Sequence, residues 1–202
     1  MNKLDLVDVG GGNIGSVKRC LERLEIDFVE TNLENPPRGD RPVLLPGVGA
    51  FGPVIEHLQK SGFDTRLKEL VNSGTPYLGI CVGMQILFES SEESPSVPGL
   101  GLLAGSVRRF KEGKVPQIGW NLVELKNVSP DTKDYPQSGY VYFVNSFYPQ
   151  PAASDTVLYE SQYHLPFCAA VKTGNITAFQ FHPEKSGEFG KSLLLGWLSH
   201  VA

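Results

Sequence analysis

Short apolar runs alternate with stretches of helical periodicity through the first half of this chain, and that alternation restricts the fold more than any other feature. Leu4 to Val9 reads as a buried strand ending in Gly10-Gly11-Gly12, and Ile14 to Leu24 carries Val17, Leu21 and Leu24 at helical spacing. Asp27 to Glu30 and Val43 to Leu45 are short strand candidates. Val54 to Lys60 and Phe63 to Val71 read as helices, the second closed by Asn72-Ser73-Gly74. Tyr77 to Ile80 is a strand, and Met84 to Glu89 is expected to open another helix. Such β-α alternation implies a mainly parallel sheet with helices on both faces.

The second half changes character. Strands are expected at Val107 to Phe110 and Leu122 to Leu125, around the turn Glu112-Gly113-Lys114. Others follow at Tyr140 to Val144, Val157 to Glu160, Phe167 to Val171 and Thr177 to Phe181, and Lys191 to Val201 is the expected closing helix. Short strands joined by tight turns imply an antiparallel extension of the same sheet. Ser90 to Gly101 reads as a long loop. The whole is an α/β fold: an open, mainly parallel mixed sheet with an antiparallel C-terminal part.

The 202 residues fit one domain, spanning 1–202. A net charge of −4 with scattered basic residues suggests neither a nucleic-acid nor a membrane surface. No apolar run approaches a membrane span, and the N-terminus meets the acidic Asp5 before any long apolar stretch, which argues against a secretory signal. Cys20, Cys81 and Cys168 are three and far apart, which points to a reduced, cytosolic compartment rather than a disulfide framework.

Gly79-Ile80-Cys81-Val82-Gly83 lies between an expected strand and an expected helix. This is the nucleophile-elbow pattern with cysteine in place of serine. Glycine on both sides relieves crowding at a sharp strand-to-helix turn. The following helix would aim its N-terminus at the Cys81 sulfur and favour the thiolate, and the Val82 N–H would face an oxyanion. The competing reading is a buried structural cysteine, the usual fate of a free Cys and the expected one for Cys20 and Cys168.

A cysteine nucleophile needs a base, and the base needs an orienter. Of four histidines, His57 sits among polar helix residues, His164 in a turn and His200 almost at the terminus. His182 ends the apolar strand and is followed by Pro183-Glu184. Residues two apart in an extended chain share a side, so Glu184 can bind one imidazole nitrogen while the other faces Cys81. A purely structural His-Glu pair is the alternative.

Together these residues resemble the class I, triad-type glutamine amidotransferases, which carry a G-x-C-x-G elbow and a late H-P-E. More narrowly, the chain is similar to the glutaminase subunits of imidazole glycerol phosphate synthase. The likeness rests on Gly12-Asn13, Pro46-Gly47-Val48-Gly49-Ala50-Phe51, Gly83-Met84-Gln85, Ser91-Glu92-Glu93, Pro116-Gln117-Ile118-Gly119-Trp120-Asn121, Tyr142-Phe143-Val144 and Phe181-His182-Pro183-Glu184-Lys185-Ser186. The resemblance implies a flavodoxin-like fold and a catalytic triad of Cys81, His182 and Glu184. It implies oxyanion donors from the Val48-Gly49 backbone beside Val82, and glutamine held by Gln85 and Glu93. The family's Tyr-Phe-Val block usually continues His-Ser-Tyr; here it runs Asn145-Ser146-Phe147, so contacts from Ser146 and Phe147 would be made by backbone.

The implied reaction hydrolyses glutamine to glutamate and ammonia, with no metal or organic cofactor. The ammonia would pass to a cyclase subunit in a heterodimer making imidazole glycerol phosphate and aminoimidazole carboxamide ribonucleotide for histidine biosynthesis. Asn13, Trp120, Asn121 and Lys185 are candidates for the contact face. A glutaminase-shaped subunit that only binds or regulates a partner is one rival, against which the intact triad residues speak, and two other readings stand beside it. The first is a glutaminase serving another amidotransferase. The second is a nucleotide-binding domain, because Gly10, Gly12 and Gly15 fit G-x-G-x-x-G with Glu30 about twenty residues on.

Overall fold

The computed structural model describes residues 3–10, 14–47 and 49–201 (of Asp131, the backbone only). The chain runs β1 (Leu4–Asp8), α1 (Ile14–Arg23), β2 (Phe28–Asn32), β3 (Val43–Gly47), α2 (Phe51–Ser61), α3 (Phe63–Asn72) and β4 (Tyr77–Cys81). It continues through α4 (Val82–Gln85), β5 (Phe88–Ser91), β6 (Leu103–Arg109), β7 (Gln117–Leu125), β8 (Ser138–Asn145), β9 (Phe147–Pro151), β10 (Val157–Tyr163), β11 (Leu165–Thr173), β12 (Ile176–Phe179) and α5 (Gly187–Val201).

The main sheet has the order β2-β1-β3-β4-β12-β11-β10-β7-β8. Pairings from β2 across to β12 are parallel. Those from β12 out to β8 are antiparallel. Every residue of β4 is buried, as a strand covered on both faces requires. The helices bury the stripes that their periodicity marks: Val17, Cys20 and Leu21 in α1, Phe51, Ile55 and Leu58 in α2, and Phe63, Leu67, Leu70 and Val71 in α3.

Three expectations are corrected. Met84 to Glu89 is not a helix: α4 is a single turn, and Phe88–Ser91 is β5. Met84, Ile86, Leu87 and Phe88 are all fully buried, so the run carries no one-sided periodicity that could separate helix from strand. Nor do all the later strands extend one sheet. β6 does not pair with β7 across the Glu112-Gly113-Lys114 turn; it lies between β5 and β9 in a separate three-stranded sheet. The closing helix also starts earlier than expected, at Gly187.

The approach of β3, β4 and α4 depends on glycine. A Cβ on Gly83 would lie 2.1 Å from the Leu45 carbonyl oxygen, and one on Gly79 would lie 2.4 Å from the Gly83 oxygen. Both obstacles are backbone and cannot swing aside. Gly83→Ala is therefore expected to destabilise the fold by about 1–3 kcal/mol, the usual cost of overpacking. Urea unfolding measures this, and an unchanged midpoint would contradict the packing described.

Candidate active site

Cys81 is the last residue of β4 and the first half-turn into α4, with φ 55° and ψ −110°. A non-glycine residue in such a conformation is strained, at a cost of about 1–3 kcal/mol, and persists where its surroundings over-determine it. The elbow is thus formed as its glycines imply. The helix behind it is only four residues long, so it supplies its first free N–H groups, that of Val82 among them, rather than a long macrodipole. Cys81 is 7% exposed; Cys20 and Cys168 are buried among core residues, as expected.

β12 lies parallel to β4, with Phe179 opposite Ile80. The chain leaving β12 therefore passes directly beside the elbow. His182 is 4% exposed and is fixed by its backbone. Its N–H donates to the Tyr142 carbonyl (3.0 Å), and its own carbonyl accepts from the Ser186 hydroxyl (2.6 Å). The Tyr142 N–H closes the loop by donating to that same hydroxyl at 3.0 Å. His182 Nδ1 sits 2.9 Å from Glu184 Oε1. The pair is made by a 3-10 turn at Pro183–Lys185 rather than by a continuing strand, because Pro183 at the first position fixes a turn-compatible φ. With Nδ1 taken, Nε2 is the nitrogen left for the sulfur.

Burial alone would lower the His182 pKa. The hydrogen bond with the Cys81 side chain, then that with Glu184, together with their charges, outweighs it and raises the value to about 9. Its neighbours, a sulfur and a carboxylate, thus favour the charged form of the ring. His57 and His164 are exposed and play no part in this cluster, and His200 stacks on Tyr135 at 5.6 Å.

A cleft of about 250 Å³ opens on Cys81 and gathers Gly49, Val82, Gln85, Glu93, Ser146 and Phe147, all anticipated from sequence. Asn145 completes its wall and donates to the Phe147 carbonyl at 3.0 Å. Glu93 has a structural task besides: one carboxylate oxygen accepts the Phe51 N–H at 2.7 Å at the start of α2, where Ser94 Oγ accepts that of Gly52 at 3.1 Å. Val48 and Asn13, like Gly11 and Gly12, lie outside the described residues.

Trp120 is exposed on β7 and stacks edge-on against Tyr142, while Lys185 sits half-buried in the turn after His182. Asn121 is turned inward: its amide donates to the Gln162 carbonyl at 2.7 Å. Glu30, the acidic residue of the dinucleotide reading, is paired with Lys18. Sequence reading missed Gln180, whose amide lies 3.6 Å from the Cys81 sulfur. Its signal was a polar side chain two residues before His182 in an apolar strand.

A family model for glutamine amidotransferase class-I matches residues 5–198. A curated imidazole glycerol phosphate synthase subunit HisH from Deinococcus radiodurans is 42% identical over 201 residues, covering 98% of this chain and 93% of its own. The chain belongs to the class-I glutamine amidotransferases, in the HisH family. A second HisH subunit, from Geobacillus sp. strain WCH70, is 39% identical, with 98% of this chain and 97% of its own covered. This amidotransferase also shares its fold with PurLQS from Thermotoga maritima, at TM-score 0.80 and 20% identity over 100% of this chain and 99% of that one. A crystal structure described as a glutamine amidotransferase superposes at TM-score 0.78 and 21% identity, with 98% of each chain covered.

The raised His182 value has a consequence with a definite sign. Because it lies above the ordinary 6.5, the stability contributed by the charged ring is complete below about pH 6.5 and is lost as pH rises through about 9. NMR titration of His182 should find that high value in the unmutated protein and a clearly lower one in Cys81→Ala, which lacks the sulfur partner. A ring titrating equally in both would show that the sulfur does not face it.

Proposed function

We propose that this chain is the glutaminase subunit of an imidazole glycerol phosphate synthase, with Cys81 as nucleophile, His182 as acid and base, and Glu184 as orienter. The observation that carries this reading is the cluster itself. A sulfur on a strained elbow faces an imidazolium that is locked on its other side by a buried carboxylate. That is the arrangement thioester chemistry requires.

In the first half-reaction the Cys81 thiolate attacks the side-chain carbonyl carbon of glutamine, and the carbonyl oxygen takes the negative charge. The Val82 N–H and the Val48-Gly49 backbone stabilise it. His182 Nε2 gives its proton to the departing nitrogen; the C–N bond breaks, and ammonia leaves a glutamyl thioester. Water then loses a proton to the neutral imidazole and attacks the thioester carbon, and the C–S bond breaks to give glutamate and the thiolate. Gln85 and Glu93 meet the amino-acid end of the substrate, and the Ser146 and Phe147 backbone borders it. Each step is carried by side chains and backbone of this chain together with water.

The ammonia passes to a cyclase subunit that forms imidazole glycerol phosphate and an aminoimidazole carboxamide ribonucleotide. The outer hairpin supports a docking role. Ile118, Trp120 and Leu122 are exposed on β7, and β8 sets Val144, Tyr142 and Tyr140 opposite them in register. Exposed apolar residues contiguous in this way mark an interaction surface. We place Trp120, Lys185 and Asn13 at that contact, with Asn121 holding β7 in place beneath it. We read residues 1–202 as one domain, which the span of the family match supports. A cytoplasmic setting agrees with three free, buried cysteines. Among the described residues, no helix is long and apolar enough to cross a membrane.

Cys81→Ala, assayed with its cyclase, should lose glutamine turnover by about 10³-fold or more, since residues acting as a unit fail together. Turnover within tenfold of the unmutated protein would remove Cys81 from the chemistry. Turnover should also be low for the subunit alone and rise with liganded cyclase. Trp120→Ala should weaken the complex by about tenfold or more if that aromatic anchors the interface. Calorimetric titration against the cyclase measures this, and an unchanged Kd would move the contact elsewhere.

A further inference from the structure

Among the described residues, Gln180 is the one buried amide within hydrogen-bond reach of the sulfur. It is 0% exposed, just past the end of β12 and two residues before His182, and its backbone N–H still bonds the Ala169 carbonyl of β11. A wholly buried amide is costly unless its atoms find partners. Those of Gln180 do. Its Nε2 lies 3.6 Å from Cys81 Sγ, and its Oε1 accepts from Gln85 Nε2 at 2.9 Å.

The direction in which these amides face follows from a group that cannot flip. Phe147 presents a backbone carbonyl, which only accepts. Gln85 Nε2 lies 3.4 Å from it, so the nitrogen end of Gln85 faces that way. The same nitrogen donates to Gln180 Oε1. The oxygen end of Gln180 therefore faces Gln85, and its nitrogen end faces the sulfur. A primary amide has two N–H groups and one carbonyl oxygen. Gln85 uses both hydrogens inside the protein, which leaves its Oε1 as the atom available to the cleft it lines.

We propose that Gln180 is a positioning residue that donates a hydrogen bond to the Cys81 sulfur and, through the same side chain, fixes Gln85 as an acceptor toward the substrate. This rests on the reading of Cys81 as nucleophile. The donor favours the anionic sulfur, because a hydrogen bond to a charged group is stronger than one to a neutral thiol. It complements the imidazolium of His182, which reaches the sulfur from the turn before α5 and is backed by Glu184. The Oε1 of Gln85, without a partner among the described residues, and the carboxylate of Glu93 then line one cleft as two acceptors, a match for the ammonium group of glutamine and a poor one for an analogue lacking that donor.

The test uses the complex with its cyclase and two measurements. Gln180→Met keeps approximate volume and removes both polar ends. Alkylation of Cys81 by iodoacetamide, followed by peptide mass spectrometry, should be about tenfold slower at neutral pH and should converge with the unmutated rate at high pH, the signature of a lost hydrogen bond to an anion. KM for glutamine should rise as well, since Gln85 is released. The second measurement needs no variant: in the unmutated protein, the Gln180 side-chain NH₂ resonances should shift when Cys81 is alkylated. An unaltered alkylation profile and KM, or NH₂ resonances that ignore the blocked sulfur, would overturn the proposal. The chloroketone analogue of glutamine separates this failure from a larger one. If it labels Cys81 of the unmutated complex, only the role of Gln180 is lost; if it does not, the glutaminase reading falls with it.

Discussion

The parallel pairing of β4 with β12 is the contact on which everything else depends. The two strands are distant in sequence, yet Ile176 to Phe179 lie in register with Tyr77 to Ile80. One strand ends at the sulfur; the other continues into the imidazole. No local feature can bring these groups together, because closing a loop of this length is an entropic cost that only the finished sheet offsets. The site is in that sense a product of topology: the last strand inserts at the centre of the sheet, between the parallel β4 and the antiparallel β11.

Around that pairing the surroundings are arranged to hold strain. Cys81 occupies backbone space that a cysteine avoids, and Gly79 and Gly83 let the neighbouring backbones close on it. His182 is held by three different partners: Tyr142 of β8 and Ser186 after the turn bond its backbone, and Glu184 within the turn bonds its ring. β8 is also the edge strand of the main sheet and half of the exposed apolar hairpin. The strand that would receive a partner is thus hydrogen-bonded directly to the backbone of the proposed base. This short path joins the proposed docking face to the proposed chemistry without any intervening layer.

Legibility in the sequence followed the range of the interaction. The elbow could be read because its constraint is steric and local: five consecutive residues state it. The amphipathic helices could be read because Val17 and Leu21, or Phe63 and Leu67, declare a buried side by spacing alone. Met84 to Phe88 could not be assigned, since residues buried on every side carry no phase. The second sheet was equally hidden. β9 reaches β6 from far along the chain, and the Gly113 turn gave a plausible but wrong neighbour for β6. The His182–Glu184 pair was anticipated, though by an extended geometry where a 3-10 turn does the work. Gln180 left only a weak trace, a polar side chain in an apolar run, because its partners, Cys81 and Gln85, sit almost a hundred positions away and give the amide its meaning.

The central claim is that the sulfur at the end of β4 performs covalent chemistry on a glutamine amide with help from the imidazole at the end of β12. Rapid acid quenching of the complex during turnover, followed by mass spectrometry of the Cys81 peptide, tests it most directly. A glutamyl group carried on Cys81 in the unmutated protein, absent from Cys20 and Cys168 and not formed in His182→Ala, is the predicted result. Steady turnover with no adduct on Cys81, or an adduct that forms equally well without the imidazole, would contradict the account.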